Sequence, residues 1–107
     1  MRLLTDELRA QLPSLYAQER EQDAMVYVKF FTPWTNWTWY ATEGSQQEDD
    51  FIFFGYVFGF VGEWGYFSLN ELESIKGPAG LTIERDLHFK PARWSEVEER
   101  HKSQFGE

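Results

Sequence analysis

Residues 51–62 read FIFFGYVFGFVG, and this run constrains the fold more than any other part of the chain. Its β-branched and aromatic content favours a strand over a helix. Successive side chains of a strand point to opposite faces, which puts Phe51, Phe53 and Val57 on one side and Ile52, Phe54, Tyr56, Phe58 and Phe60 on the other. Both faces are apolar, so a sheet built on this strand needs cover on both, from helices, a second sheet or a partner. The run is shorter than the ~20 residues of a membrane helix and Glu63 ends it, so no membrane span is expected. The GxxxG spacing of Gly55 and Gly59 is then incidental.

The flanking segments read as further strands and short helices. Thr5 is placed to cap a helix whose first turn carries Asp6 and Glu7, with Leu4, Leu8 and Leu12 on one face and Pro13 as the stop. Residues 17–23 read as a polar linker or a frayed turn. Residues 24–32 and 36–42 look like the two arms of a β-hairpin that turns at 33–35. A polar loop over 43–50 leads into the two-faced strand, 62–65 form a turn, and 66–69 are a short strand or the lead-in to a helix. Ser68 and Glu71 have capping-box spacing, predicting a helix over 69–75 with Leu72 and Ile75 inward, broken by the GPAG of 77–80. Residues 81–89 alternate, with Leu81, Ile83, Leu87 and Phe89 on one side and Arg85 among them. Ser95 and Glu98 repeat the capping-box spacing before a helix carrying Trp94, Val97, His101 and Phe105 at helical intervals. The expected fold class is α+β, an antiparallel sheet of four or five strands packed by short helices, in one domain over 1–107.

Eighteen acidic against ten basic residues leave a formal charge of −8 in 107 residues. That balance works against direct binding to a phosphate backbone and suits a basic protein partner, including one that handles nucleic acid. The absence of cysteine excludes disulfides, thiolate metal sites and a cysteine nucleophile. The N-terminal stretch has no apolar secretory core, and a cytoplasmic location is expected. No serine elbow, phosphate-cradling glycine loop or HExxH motif is present, so no catalytic residue and no cofactor is assigned.

The blocks LLTDELRAQLPSLY, YVKFFTP, NWTWYATE, FFGYVFG, EWGYFSLNELES and GPAGLTIERDLHFKP together resemble the domain of unknown function 2958 family of small bacterial proteins, over residues 3–91. The resemblance implies a gene of the kind carried on plasmids, integrated elements and phage-related regions. It implies no activity and transfers no site residue.

The candidate sites follow from the strand faces. Trp37 and Trp39 share one face, and with Trp34 at the hairpin tip they are the candidate partner anchors, Trp34 being the one expected to be most exposed. Glu48, Asp49 and Asp50 in the polar loop are the candidate steering acids. Arg85, on an otherwise apolar strand face, is expected to pair with Glu43 or another acid as a structural ion pair, or else to recognise a ligand carboxylate or phosphate. Glu84, Asp86 and His88 recur at about 7 Å on one strand face, a spacing that metal ligands share; they are read as exposed strand residues, with His101 away on the last helix.

The reading of the whole is a non-enzymatic interaction protein from mobile-element biology, presenting an acidic, aromatic-bearing surface to a protein partner; a homodimer is compatible with it. The rival is a small-ligand-binding protein or enzyme that uses an aromatic cleft with Arg85, Glu43 and His88.

Overall fold

The structure, a computed structural model, describes residues 1–106; Glu107, the last residue of the expected domain, lies outside the described residues. Helix α1 (Asp6–Gln11) comes first, followed by strands β1 (Met25–Val26), β2 (Val28–Phe31), β3 (Thr38–Gln47), β4 (Asp50–Phe58) and β5 (Gly62–Ser68). Helix α2 (Leu69–Ser74), one 3-10 turn (Pro78–Gly80), strands β6 (Glu84–Arg85) and β7 (Ala92–Arg93), and helix α3 (Trp94–Phe105) complete the chain. Five strands form one antiparallel sheet in the order β5-β4-β3-β2-β6, and β1 pairs with β7 in a separate two-stranded ribbon. The α+β class and the five-stranded sheet agree with the sequence reading. Among the described residues no helix is long and apolar enough to cross a membrane.

Strand β4 is an inner strand of the sheet, between β5 and β3, and is apolar on both faces. On the first face Phe51 and Phe53 enter the larger core with Phe30, Trp39 and Phe67. Leu4 and Leu12, flanking α1, and Leu72 of α2 close that side. The expected caps of both helices form, since Thr5 accepts from the Leu8 N–H and Ser68 from the Glu71 N–H. Ile75, expected inward, is the C-cap of α2 and is exposed.

On the second face Tyr40 and Phe58 pack with Val26 of β1, Ala92 of β7 and Val97 of α3. His101 is buried there, its ring stacked 3.7 Å from that of Phe58 and its Nδ1 2.9 Å from the Tyr40 hydroxyl. Ser95 does not cap α3. The helix begins one residue earlier, and Asp23 takes both the Ser95 N–H and its hydroxyl, so the cap comes from the segment before β1. These hydrogen bonds from Ser95 hold the Asp23 carboxyl below its ordinary value.

Two other expectations are corrected. The polar loop over 43–50 is mostly strand: β3 and β4 run out to a Gln47–Asp50 pair, joined by Glu48 and Asp49, with Glu48 in the left-handed region at φ 55°. The alternating segment 81–89 pairs with the sheet only at Glu84 and Arg85, with an isolated antiparallel bridge from Thr82 to Lys76 before them. Beyond them the chain turns at Asp86, whose carboxylate accepts from the His88 N–H, and Leu81 and Leu87 are exposed while Ile83 is buried.

Asp50 ties this hairpin to α2. It accepts from the Ser68 hydroxyl, from the Asn70 N–H at 3.0 Å and from the Phe51 N–H at 2.7 Å. The Ser68 hydrogen bond is the first cause that holds the Asp50 carboxyl below its ordinary range. A carboxyl depressed in the folded state contributes stability that is complete above its unfolded pKa and is lost as pH falls through the folded one. Denaturant titrations between about pH 5 and pH 2 are therefore expected to show a steeper loss of stability in the native chain than in Asp50→Asn. Equal slopes would contradict this role for Asp50.

Candidate functional site

The site is the part of the second sheet face that α3 leaves open. Cross-strand pairing lays out its rows: Tyr40–Tyr56–Trp64, then Glu43–Phe54–Tyr66. Trp94, at the start of α3, closes the first row; its ring lies 4.5 Å from that of Tyr56 and 5.1 Å from that of Trp64. Beyond Trp94 the second row has no helix over it. Trp64 is 42% exposed and Tyr66 is 56% exposed. The rings of Phe54 and Trp64 are nearly parallel at 5.9 Å, and Tyr66 meets Phe54 at 62° and 5.0 Å.

A β-bulge places Glu43 on this face. The register of β3 against β4 shifts between Ala41 and Glu43, so Glu43 rather than Thr42 lies opposite Phe54. Without the extra residue Glu43 would face the larger core. The groups freed at Thr42 are satisfied locally: its hydroxyl donates to the Phe54 carbonyl, and its own carbonyl accepts from the Gln18 side chain at 2.8 Å. That Gln18 amide also exchanges two hydrogen bonds with the Met25 backbone.

Glu43 is only 4% exposed, and its charge is answered by backbone. Its two carboxylate oxygens accept from the Tyr16 and Gln18 N–H groups, each at 2.8 Å. Among the described residues no Lys or Arg forms an ion pair with it. The grip fixes segment 14–18 along the open face and holds Tyr16 at φ 75°, a left-handed conformation that is costly for an aromatic residue.

Tyr16 stands beside Tyr66, and the Tyr66 phenol is held above its ordinary value. The hydrogen bond with Tyr16 is the first cause, followed by desolvation, by the repulsion that two neighbouring phenolates would feel, and by the negative charges of Glu43 and Glu19. Together these groups line a cleft of about 220 Å³ with Glu19 and Glu21 on its rim. Because backbone strain at a binding site is offset by stability elsewhere, Tyr16→Gly is expected to leave stability unchanged or raise it by up to ~1 kcal/mol while removing one wall of the cleft. Urea unfolding measures this, and a loss above about 1 kcal/mol would show that the ring is structural rather than strained into place.

The residues singled out from the sequence fall elsewhere. Trp39, 6% exposed, is inside the larger core and is not available as an anchor. Trp34 is half-buried with its ring laid on Gly77, where a Cβ would come within 2.5 Å of it, so it is not the most exposed tryptophan. Trp37, also half-buried, is tilted against Trp39 at 5.8 Å and meets the exposed Phe60 edge-on at 5.3 Å. Glu48 and Asp49 are exposed at the β3–β4 turn, whereas Asp50 is committed to Ser68 and Asn70.

Glu43 and Arg85 do not pair. Arg85 donates to the carbonyls of Arg2 and Leu3, pinning the N-terminal residues to β6, because its strand is too short to carry it inward. Arg85 and His88 share a separate groove of about 360 Å³ with Trp37 and Phe105, and Glu43 is not part of it. Asp86 pairs with Lys29 at 3.7 Å. Among the described residues no three His, Asp or Glu side chains converge as a metal site.

Trp64 and Tyr66 were missed because the glycines flanking Trp64 read as a turn. Their spacing of two in GEWGYFS is the strand period, and that was the available signal.

The family described as "Protein of unknown function (DUF2958)" matches this chain over residues 3–99. No curated protein and no solved structure matches it.

Proposed function

This chain belongs to the DUF2958 family of proteins of unknown function, and from that premise we propose that it is a non-enzymatic protein-interaction module presenting an acidic, aromatic-bearing surface to a basic protein partner. The observation that carries the reading is the exposure of Trp64 and Tyr66 on the second sheet face, in a cleft that the buried Glu43 also lines. Aromatic side chains bury about 150–250 Å² each, so these two rings alone are a substantial anchor. Glu19 and Glu21 on the rim, within a chain of net charge −8, supply steering toward positive charge.

The edge of the sheet favours a polypeptide over a small molecule. Strand β5 is terminal, so alternate backbone N–H and C=O groups along it point away from the sheet, directly beside Trp64 and Tyr66. An extended segment of a partner can pair with such an edge while its side chains enter the cleft. In this reading the anchors move from Trp34, Trp37 and Trp39 to Trp64 and Tyr66, and the steering acids from Glu48, Asp49 and Asp50 to Glu19 and Glu21. The setting is cytoplasmic, the partner is encoded by a host or by a mobile element, and proteins that grip nucleic acid are included among the partners.

Quantitative affinity capture with the native chain, the double charge reversal Glu19→Lys with Glu21→Lys, and Asp49→Lys as a control tests the reading. Proteins retained by the native chain and by Asp49→Lys, released by salt, and lost with the double reversal are the expected result. A set of captured proteins that is identical for all three baits at low salt would overturn it.

A further inference from the structure

We propose that the cleft is a receptor for a single organic cation, the head group of one lysine or arginine side chain of the partner, seated against the faces of Trp64 and Tyr66 above Glu43. This rests on the reading of the face as a protein-binding surface and goes further by naming what enters it.

Size is the first argument. A volume of about 220 Å³ is below the ~300–1,000 Å³ typical of sites for drug-sized ligands, and it suits one side-chain head group better than a nucleotide or cofactor. Charge is the second. The lining contains Glu19, Glu21 and Glu43 and no Lys or Arg, so an anion is repelled and an uncharged ring leaves the buried carboxylate without a counter-ion. Glu43 already accepts from two N–H groups, yet a carboxylate has about four lone-pair sites, so acceptor capacity remains on a residue that lines the cleft.

Ring geometry is the third argument. Trp64 and Tyr66 each pack against Phe54, one parallel to it and the other at 62°, and both rings line the cleft together with Glu43, so π faces with negative quadrupoles and a carboxylate share one small space. Tyr16, held in its strained conformation by Glu43, adds a third aromatic wall. An aromatic cage with a carboxylate floor is the arrangement that recognises ammonium and guanidinium groups.

The test uses the full chain and four blocked tripeptides whose central residue is lysine, trimethyllysine, arginine or norleucine, followed by NMR at the Trp64 indole N–H and the Tyr16 and Gln18 amides. The expected result is saturable shifts at those three positions with the cationic peptides and none with norleucine. Trp64→Ala and Tyr66→Ala, both at exposed positions and both checked for an otherwise unchanged amide spectrum, are each expected to weaken binding at least tenfold. The tightest of the three cationic peptides identifies the head group.

Equal shifts with norleucine would overturn the cation receptor while leaving the protein-binding reading standing. Tetramethylammonium chloride binding as tightly as the peptides would assign the cleft to a free small cation and overturn the side-chain assignment. Cationic peptides that bind here, together with protein capture indifferent to Glu19 and Glu21, would instead support the receptor and remove the proposed partner.

Discussion

Gly55→Ala is expected to lower the unfolding free energy by at least ~3 kcal/mol, the upper end of ordinary overpacking losses, and to leave little of the native sheet at 37 °C. A Cβ at Gly55 would lie 1.8 Å from the Tyr40 carbonyl oxygen and 2.9 Å from the Ala41 Cα. Those atoms are backbone, so no rotamer change can relieve the clash, and β3 must part from β4 at their centre. Gly55 sits opposite Ala41, one step before the bulge that brings Glu43 onto the second face. Damage here therefore removes the fold and the site together. Urea unfolding monitored by circular dichroism measures the loss, and a change below about 1 kcal/mol would show that the two strands are not in this register.

Glu43→Ala is expected to cost roughly 3 kcal/mol, because hydrogen bonds to a charged group are worth about 1.5–3 kcal/mol each and two part-buried N–H groups lose their acceptor. The loss should be local before it is global. Segment 13–18 is held to β3 by the Glu43 carboxylate, by the Leu15 N–H to the Ser45 hydroxyl at 2.9 Å, and by the Gly44 N–H to the Pro13 carbonyl at 2.9 Å. Hydrogen exchange at Tyr16 and Gln18 is expected to accelerate in Glu43→Ala far more than at Phe53 in the core.

The same substitution separates the observed partners of Glu43 from an ion pair with Arg85. Because the two side chains engage different backbone groups, a double-mutant cycle between Glu43→Ala and Arg85→Ala is expected to be additive within about 0.5 kcal/mol. A coupling of 2 kcal/mol or more would restore the ion pair.

These results bear on how much of the molecule could be read from residue order. The two-faced inner strand, the hairpin at 33–35, and the caps at Thr5 and Ser68 are legible because each has a local cause: a period of two, a proline, or a side-chain oxygen three residues before an N–H. The strand over residues 43–47 is not legible. Its residues are polar or small, and it persists because the partner strand and segment 13–18 satisfy its backbone, a tertiary cause.

Gly62 and Gly65 misled in the opposite direction. Gly62 lies where a Cβ would strike the Tyr56 hydroxyl, so glycine there leaves room for a neighbouring ring within a strand and does not make a turn. The cap of α3 came from Asp23, some seventy residues upstream, and no spacing rule reaches that far.

The site was legible in kind and not in place. An excess of ring surface over available cover follows from the two-faced strand and the shortness of the helices. Which rings stay outside depends on where α3 lies, and Trp94 marks its limit at Tyr56 and Trp64. The tryptophan-rich hairpin looked like the surface, but Trp39 is carried inward and Trp34 and Trp37 lie over the glycines at 77 and 59.

Fluorine NMR of the chain labelled with 5-fluorotryptophan tests this account most directly. Its five signals can be assigned by single Trp→Phe substitutions and compared in light and heavy water before and after addition of a lysine-rich peptide. The account predicts a solvent isotope shift at Trp64 and none at Trp39, with the peptide moving the Trp64 signal and leaving those of Trp34 and Trp39 in place. A Trp64 signal indifferent to both solvent and peptide, with Trp34 or Trp37 responding instead, would contradict it.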